Sequence, residues 1–300
     1  MVLGPGDHPT VYSPVHVAPG GARYLTHPGV VTLARPNVAA PHSAIGDATI
    51  EQFLSGFDDS LGFRSSLQDP VELPPAAALC KVAGQLCYMS FGPKRTTNAE
   101  AARYFANIRG SGHGSVLEHA TFTFLCYGIS RSVTHELVRH RAGFAFSQVS
   151  QRYVSAQTLR FVERPEFRET PELHRDFEAR IDETARRHAL LEQQLAELQL
   201  QGSEALAAQG RTARRKRIQQ AARALLPNET EAPVVVTANV RAWRHFIEAR
   251  ANEHADVEIR MLAYAIYLCL RHMEPLLFGD YDETKLPDGT TAVSTATPKV

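Results

Sequence analysis

The sequence predicts an α+β fold, helix-rich with a small, mostly antiparallel sheet, and three observations carry that expectation. Residues 76–89, 171–202 and 242–273 repeat apolar side chains at helical spacing. Two shorter stretches, residues 119–129 and 233–240, are rich in β-branched or aromatic residues. The first of them sets Phe122, Phe124 and Cys126 against Thr121, Thr123 and Leu125, a strand buried mainly on one side. These strands do not alternate one for one with helices, which argues against a doubly wound parallel sheet.

Residues 1–46 hold Pro5, Pro9, Pro14, Pro19, Pro28, Pro36, Pro41 and the pair Gly20–Gly21. Such punctuation excludes long helices and predicts irregular chain with one short strand at Val30–Leu33. Helical spacing over residues 76–89 puts Cys80 and Cys87 on one face, where both are expected as small core residues. Asn98 can cap a helix running to Asn107, and Ser130 one running to His140. Pro171 opens a long helix to about Gly202 with Leu190, Leu191, Leu195 and Leu198 along one side, a core or subunit contact. A further helix after Thr212 ends near Leu226-Pro227, and residues 242–273 read as one or two helices.

The 300 residues suit one generous domain or two small ones, and 44% hydrophobic residues suffice for a sizeable core. Lys plus Arg (32) balance Asp plus Glu (32), which argues against a whole-surface binder of nucleic acid or anionic membrane. No apolar run reaches the ~18–20 residues of a membrane span, and no secretory signal is recognisable. The four cysteines are too scattered for a disulfide framework or a CxxC metal site, so a cytoplasmic protein with reduced thiols is expected.

Several motifs fail on inspection. Gly110-Ser111-Gly112-His113-Gly114 follows a helix instead of a strand and misplaces its third glycine, so it is not a dinucleotide-binding loop. His135-Glu136 with His140 has its histidines five apart, which turns them about 140° from each other on a helix, whereas a zinc pair needs four; no metal is expected. Asn228-Glu229-Thr230 matters as a sequon only in an exported protein. The cluster Arg211, Arg214, Arg215, Lys216 and Arg217 reads first as a solvated helix face, with an RNA- or nucleotide-binding module as the alternative.

The segment RHRAGFAFSQVSQRY (139–153) is different. Arg139, His140, Arg141 and Arg152 share it with Ser147, Gln148, Ser150 and Gln151, aromatics interleave, and it contains no acidic residue. Arginine forks, hydroxyls and amides together make a receptor for phosphate and a uracil-like edge, so an anion-binding loop is expected. Two more clusters surround strand candidates: His113-Gly-Ser115-Val-Leu-Glu118-His119, and Asn239 through Arg250, where Asn239, Arg241 and His245 fall near one face. Taken alone, the second is a charged surface helix with Glu248 and Glu253 as ion-pair partners.

Together, HGSVLEH, HELVRHR, SQVSQRY, ARALLPNET and NVRAWRHFIEARANEHADVEIR resemble, in that order, the flavin-dependent thymidylate synthase family, over roughly Ala76 to Asp280. The resemblance implies a domain over residues 71–300 preceded by an extension, residues 1–70, of unassigned role. It implies methylation of dUMP to dTMP with 5,10-methylenetetrahydrofolate as carbon donor and NADPH reducing a bound FAD, in a homotetramer with shared active sites. On the family's pattern, His113, Ser115, Glu118, Arg139, His140, Arg141, Asn239, Arg241 and His245 hold the flavin. Arg131, Glu136, Arg139, Gln148, Ser150, Gln151, Arg152, Arg223 and Arg250 hold the nucleotide, and Arg250 activates the uracil ring. The chain departs from the pattern in one place: eight residues, not seven, separate RHR from Ser150, and a one-residue bulge is expected near Gly143.

Overall fold

The computed structural model describes residues 8–38, 49–153 and 155–298. Ten strands and ten helices follow in chain order among them. Thr10–Val11 (β1), His16–Val17 (β2), Arg23–Leu25 (β3) and Gly29–Ala34 (β4) precede Ile50–Ser55 (α1), Pro75–Cys87 (α2) and Ala101–Gly110 (α3). Thr121–Tyr127 (β5), Arg131–Leu137 (α4), Phe144–Gln148 (β6) and Arg160–Val162 (β7) lead to Pro165–Arg168 (α5), Pro171–Leu200 (α6) and Arg211–Ala222 (α7). The chain finishes with Val234–Asn239 (β8), Val240–Arg250 (α8), Val257–Met273 (α9), Pro275–Phe278 (α10), Asp282–Lys285 (β9) and Thr291–Ser294 (β10).

The central sheet has the order β1-β4-β5-β8-β6, and every neighbour is antiparallel. Its buried face is the one the alternation predicts: Phe122, Phe124 and Cys126 on β5 and Val234, Val236 and Ala238 on β8 are all buried. Helices α8 and α9 supply Trp243, Phe246, Ile247, Leu262 and Ile266 to the same core. Trp243 meets Phe124 and Phe144 edge-on at ring separations of 5.3 and 5.1 Å. Burying a side chain of this size contributes about 1.5–3 kcal/mol, so this contact seats α8 on the sheet. A second, smaller core lies between the sheet β2-β3-β7, whose β3–β7 pair is parallel, and Phe177 and Ile181 of α6. The α+β expectation, helix-rich with small and mostly antiparallel sheets, therefore holds.

Residues 8–34 carry more structure than their composition implies. The strand expected at Val30–Leu33 is β4, and it lies inside the main sheet, between β1 and β5. Residues 1–7 and 39–48, also expected to be irregular, lie outside the described residues.

Several other expectations need correction. Residues 144–148 are not loop: β6 forms an edge strand that pairs Phe144 through Gln148 with Ala238 through Val234. The ladder runs without a bulge, and the unusual backbone sits one residue earlier, at Gly143 (φ +75°). The helix after Ser130 ends at Leu137, so Arg139, His140 and Arg141 lie beyond it, and the cap of the helix near residue 100 is Thr97, in a capping box with Glu100. Finally, Cys80 is buried but Cys87 is exposed.

The cysteines give a direct check. Burial pushes the thiols of Cys80 and Cys269 up to about 12 and that of Cys126 higher than usual, so none forms a thiolate near neutrality. A thiol reagent should label Cys87 alone in the native protein and all four cysteines in denaturant, as read by intact and peptide mass spectrometry. Equal labelling of Cys80 in native protein would contradict the packing described.

Candidate active site

The C-terminal end of β8 runs straight into α8, and this junction organises the site. Asn239 is the N-cap: its Oδ1 accepts a hydrogen bond from Ala242 N at 2.8 Å. Gly143 lies against this cap. A Cβ there would come within 2.9 Å of both Asn239 Nδ2 and Ala242 Cβ, and the left-handed backbone penalises any other residue as well. Gly143→Ala should therefore destabilise the chain by about 1–2 kcal/mol in urea titration, and an unchanged midpoint would refute the close approach.

Beside that junction opens a cleft of about 430 Å³ lined by Glu118, Gly143, Asn239, Arg241, Arg244 and His245, with Ala142, Ala242 and Pro298. Arg241 Nη1 donates to Glu118 Oε1 at 2.6 Å, joining the short helix Gly114–Glu118 to α8. His113 and Ser115, on the same turn, are exposed. The structure thus brings together Glu118, Asn239, Arg241 and His245 from two distant stretches.

Sequence reasoning missed Arg244. It is only 2% exposed and pairs through both terminal nitrogens with Asp280, at 2.7 and 2.8 Å, while Arg109 Nε reaches the same carboxylate at 3.3 Å. Burial opposes ionisation of Asp280, yet the guanidinium of Arg244 holds its carboxyl below the usual range. The ion-pair partner expected within the helix itself, Glu248, is replaced by this distant one. Only the placement of Arg244 between Trp243 and Phe246 on a buried helix face could have indicated it.

At the other end of α8, Arg250 reaches the segment that follows α4. Its Nε donates to His140 Nε2 at 2.9 Å and its Nη1 to Glu136 Oε2 at 2.9 Å. The guanidinium can only donate, so His140 Nε2 is unprotonated and the neutral ring carries its proton on Nδ1. Burial first, then the charge of Arg250 and the neighbouring His245, lower the pKa of His140 to about 4. Among the described residues no group of three His, Cys, Asp or Glu side chains is gathered for a metal.

The remaining site residues lie elsewhere. Gln148 closes β6; Gln151 lines a separate cavity of about 240 Å³ with Arg160 and Glu231, and Arg152 a third of about 350 Å³ with Lys216, Arg217 and Gln220. Lys216 lies 5.1 Å from the ring centroid of Tyr153 and, through a hydrogen bond, lowers that phenol's pKa. The amide nitrogens of Gln148 and Gln151 are buried without a hydrogen-bond partner among the described residues. Arg139, Arg141 and Arg223 are exposed, and with Arg131 and Arg152 they have no carboxylate partner among the described residues. Arg152 lies beside Lys216 and Arg217, whereas Arg250 lies against Glu136 and His140.

The lowered pKa of His140 has a signed consequence. The unfolded ring protonates near 6.5 and the folded one only near about 4, so stability is intact above the first value and falls as pH drops towards the second. Over about pH 7 to 5, His140→Gln should lose less stability than the parent protein in urea titrations. Parallel losses in the two proteins would show that the ring is not held neutral.

Comparison with known proteins is consistent with this geometry. Residues 71–276 match the family described as thymidylate synthase complementing protein. The chain is 46% identical over 215 residues to a flavin-dependent thymidylate synthase of Mycolicibacterium gilvum (strain PYR-GCK), covering 71% of this chain and 83% of the relative. It is 47% identical over 223 residues to that of Mycobacterium sp. (strain KMS), covering 73% and 85%. With that of Mycobacterium tuberculosis (strain ATCC 25177 / H37Ra) it shares 45% identity over 213 residues, covering 71% and 82%. The family match spans the turn carrying Glu118, the Arg139–Tyr153 segment and α8, and the chain belongs to the flavin-dependent thymidylate synthase family.

Proposed function

We propose that the protein synthesises dTMP from dUMP, taking the carbon from 5,10-methylenetetrahydrofolate and using FAD reduced by NADPH. The observation that carries this reading is Arg250. Its guanidinium is held by Glu136 and His140 at one end of α8, while the cleft with Arg241, His245 and Asn239 opens at the other.

The cleft suits part of a flavin nucleotide. It offers a guanidinium, an imidazole and an amide, with Gly143 packed against the Asn239 cap in its wall. His113, Ser115, Glu118, Arg139, His140, Arg141, Asn239, Arg241 and His245 would hold the cofactor, which when bound supplies the hydride that completes the new methyl group. The chain's own contribution is electrostatic. Arg250 stabilises negative charge at N3 of the uracil and its flanking carbonyls, which raises the nucleophilicity of C5. No cysteine nucleophile is required, since Cys80, Cys126 and Cys269 are buried with raised pKa values. The unpaired amides of Gln148 and Gln151 supply donors for the ring carbonyls, and Arg131, Arg152 and Arg223, with Ser150, supply the phosphate site.

The complete site is shared between subunits of a homotetramer, a reading supported by Arg152 and Arg250 having different neighbours in one chain, Lys216 and Arg217 for the first, Glu136 and His140 for the second. The exposed leucines of α6, Leu190 (44%) and Leu198 (48%), fit a subunit contact better than a core. We assign residues 71–300 to the catalytic domain and residues 1–70 to an extension whose strands complete its sheet, in a cytoplasmic enzyme acting on a free nucleotide and not on nucleic acid. Among the described residues no helix is long and apolar enough to cross a membrane.

The purified protein should be yellow and should release tritium from C5-labelled dUMP only with the folate and NADPH. Colourless protein that cannot be reconstituted with FAD, or salt-sensitive RNA retention without dUMP turnover, would overturn the reading. Arg250→Ala should lower kcat about 10²–10³-fold, the usual cost of one charge-stabilising contact, with the flavin spectrum retained. Turnover at the parent rate would refute the role of Arg250 even if the reaction stands.

A further inference from the structure

Arg250 is held by Glu136 on α4, so whatever sets the position of α4 sets the guanidinium. The junction between β5 and α4 is unusually well fastened. Gly128 has φ +62°, and its N–H donates to Glu231 Oε1 at 2.7 Å. Two residues later Ser130 N donates to Glu258 Oε1 at 2.6 Å and Ser130 Oγ to Glu258 Oε2 at 2.7 Å. Ser130 in turn is the N-cap of α4, with Oγ accepting from Val133 N at 3.4 Å.

Glu258 is only 3% exposed and stands in the first turn of α9, where Asp256 Oδ1 accepts from its N–H at 3.0 Å. Residues 251–256 join that turn to Arg250, the last residue of α8. The two helices are thus tied at both ends of α4: Ser130 to Glu258 at its start, Glu136 to Arg250 at its finish. A buried carboxylate is costly unless it is well hydrogen-bonded, and both oxygens of Glu258 are spent on one serine. A capping bond could have been made by Ser130 alone; the second tie adds orientation.

We infer that Glu258 is a positioning residue for the reaction: through Ser130 and α4 it places Glu136 so that Arg250 meets the uracil ring. The inference rests on the proposed function, and its test separates the two. Glu258→Gln, Glu136→Gln and the double variant are prepared as full-length flavoproteins. Glu258→Gln should keep its flavin spectrum and lower kcat/KM for dUMP about 10–100-fold, the scale of a small misplacement in an active site. The double variant should be no worse than the poorer single one, because both changes break one arrangement. Deuterium exchange should rise in peptides covering residues 131–139 and stay at the parent level in α2. Ser130→Ala, which keeps the backbone tie, should show the same pattern at smaller size and stands in if Glu258→Gln does not fold. Losses that multiply in the double variant, or α4 exchange equal to that of the parent, would overturn the inference. If the parent protein does not turn over dUMP at all, the proposed function fails, and the exchange data still decide whether Glu258 anchors α4.

Discussion

A guanidinium shared between a carboxylate and a neutral imidazole is the contact around which this molecule is arranged. Arg250 carries its charge at the end of α8, and it is useful there only if Glu136 and His140 arrive from a part of the chain more than 100 residues earlier. The sheet makes that meeting happen. Pairing of β5 with β8 fixes where α4 and α8 leave the strands, and Trp243 wedged between Phe124 and Phe144 fixes the roll of α8. The polar site therefore inherits its geometry from apolar packing.

Charge is handled differently at the two ends of α8. Arg244 is buried and saturated by Asp280, with Arg109 sharing the carboxylate, so it behaves as a structural cation. Arg241 and Arg250 are more accessible than Arg244, the first paired with Glu118 and the second with Glu136 and His140.

Much of this was legible in the residues. Alternation in residues 119–129 foretold which face of β5 is buried, and Ser130 announced the start of α4. The spacing of Asn239, Arg241 and His245 put them near one face, and all three line one cleft. Legibility ended where long-range pairing overrides local composition. Phe144–Gln148 reads as polar loop, yet it is a strand because β8 offers it a free edge. Cys87 sits on the helical face of Cys80 by spacing, but the core stops short of the last turn of α2. Arg244 and Glu258 look like ordinary surface charges until Asp280 and Ser130, each more than 30 residues away, are brought beside them.

The position of β4 carries a consequence for synthesis on the ribosome. Its neighbour β5 begins at Thr121, and the strand that completes the buried face, β8, begins at Val234. At ~5–20 residues per second the emerging β4, paired on one side with the two-residue β1, waits several seconds for β5 on the other, and the sheet waits longer still. During that interval the edge of β4 that will meet β5 stays open on a nascent chain, the condition under which a holding chaperone has most to protect.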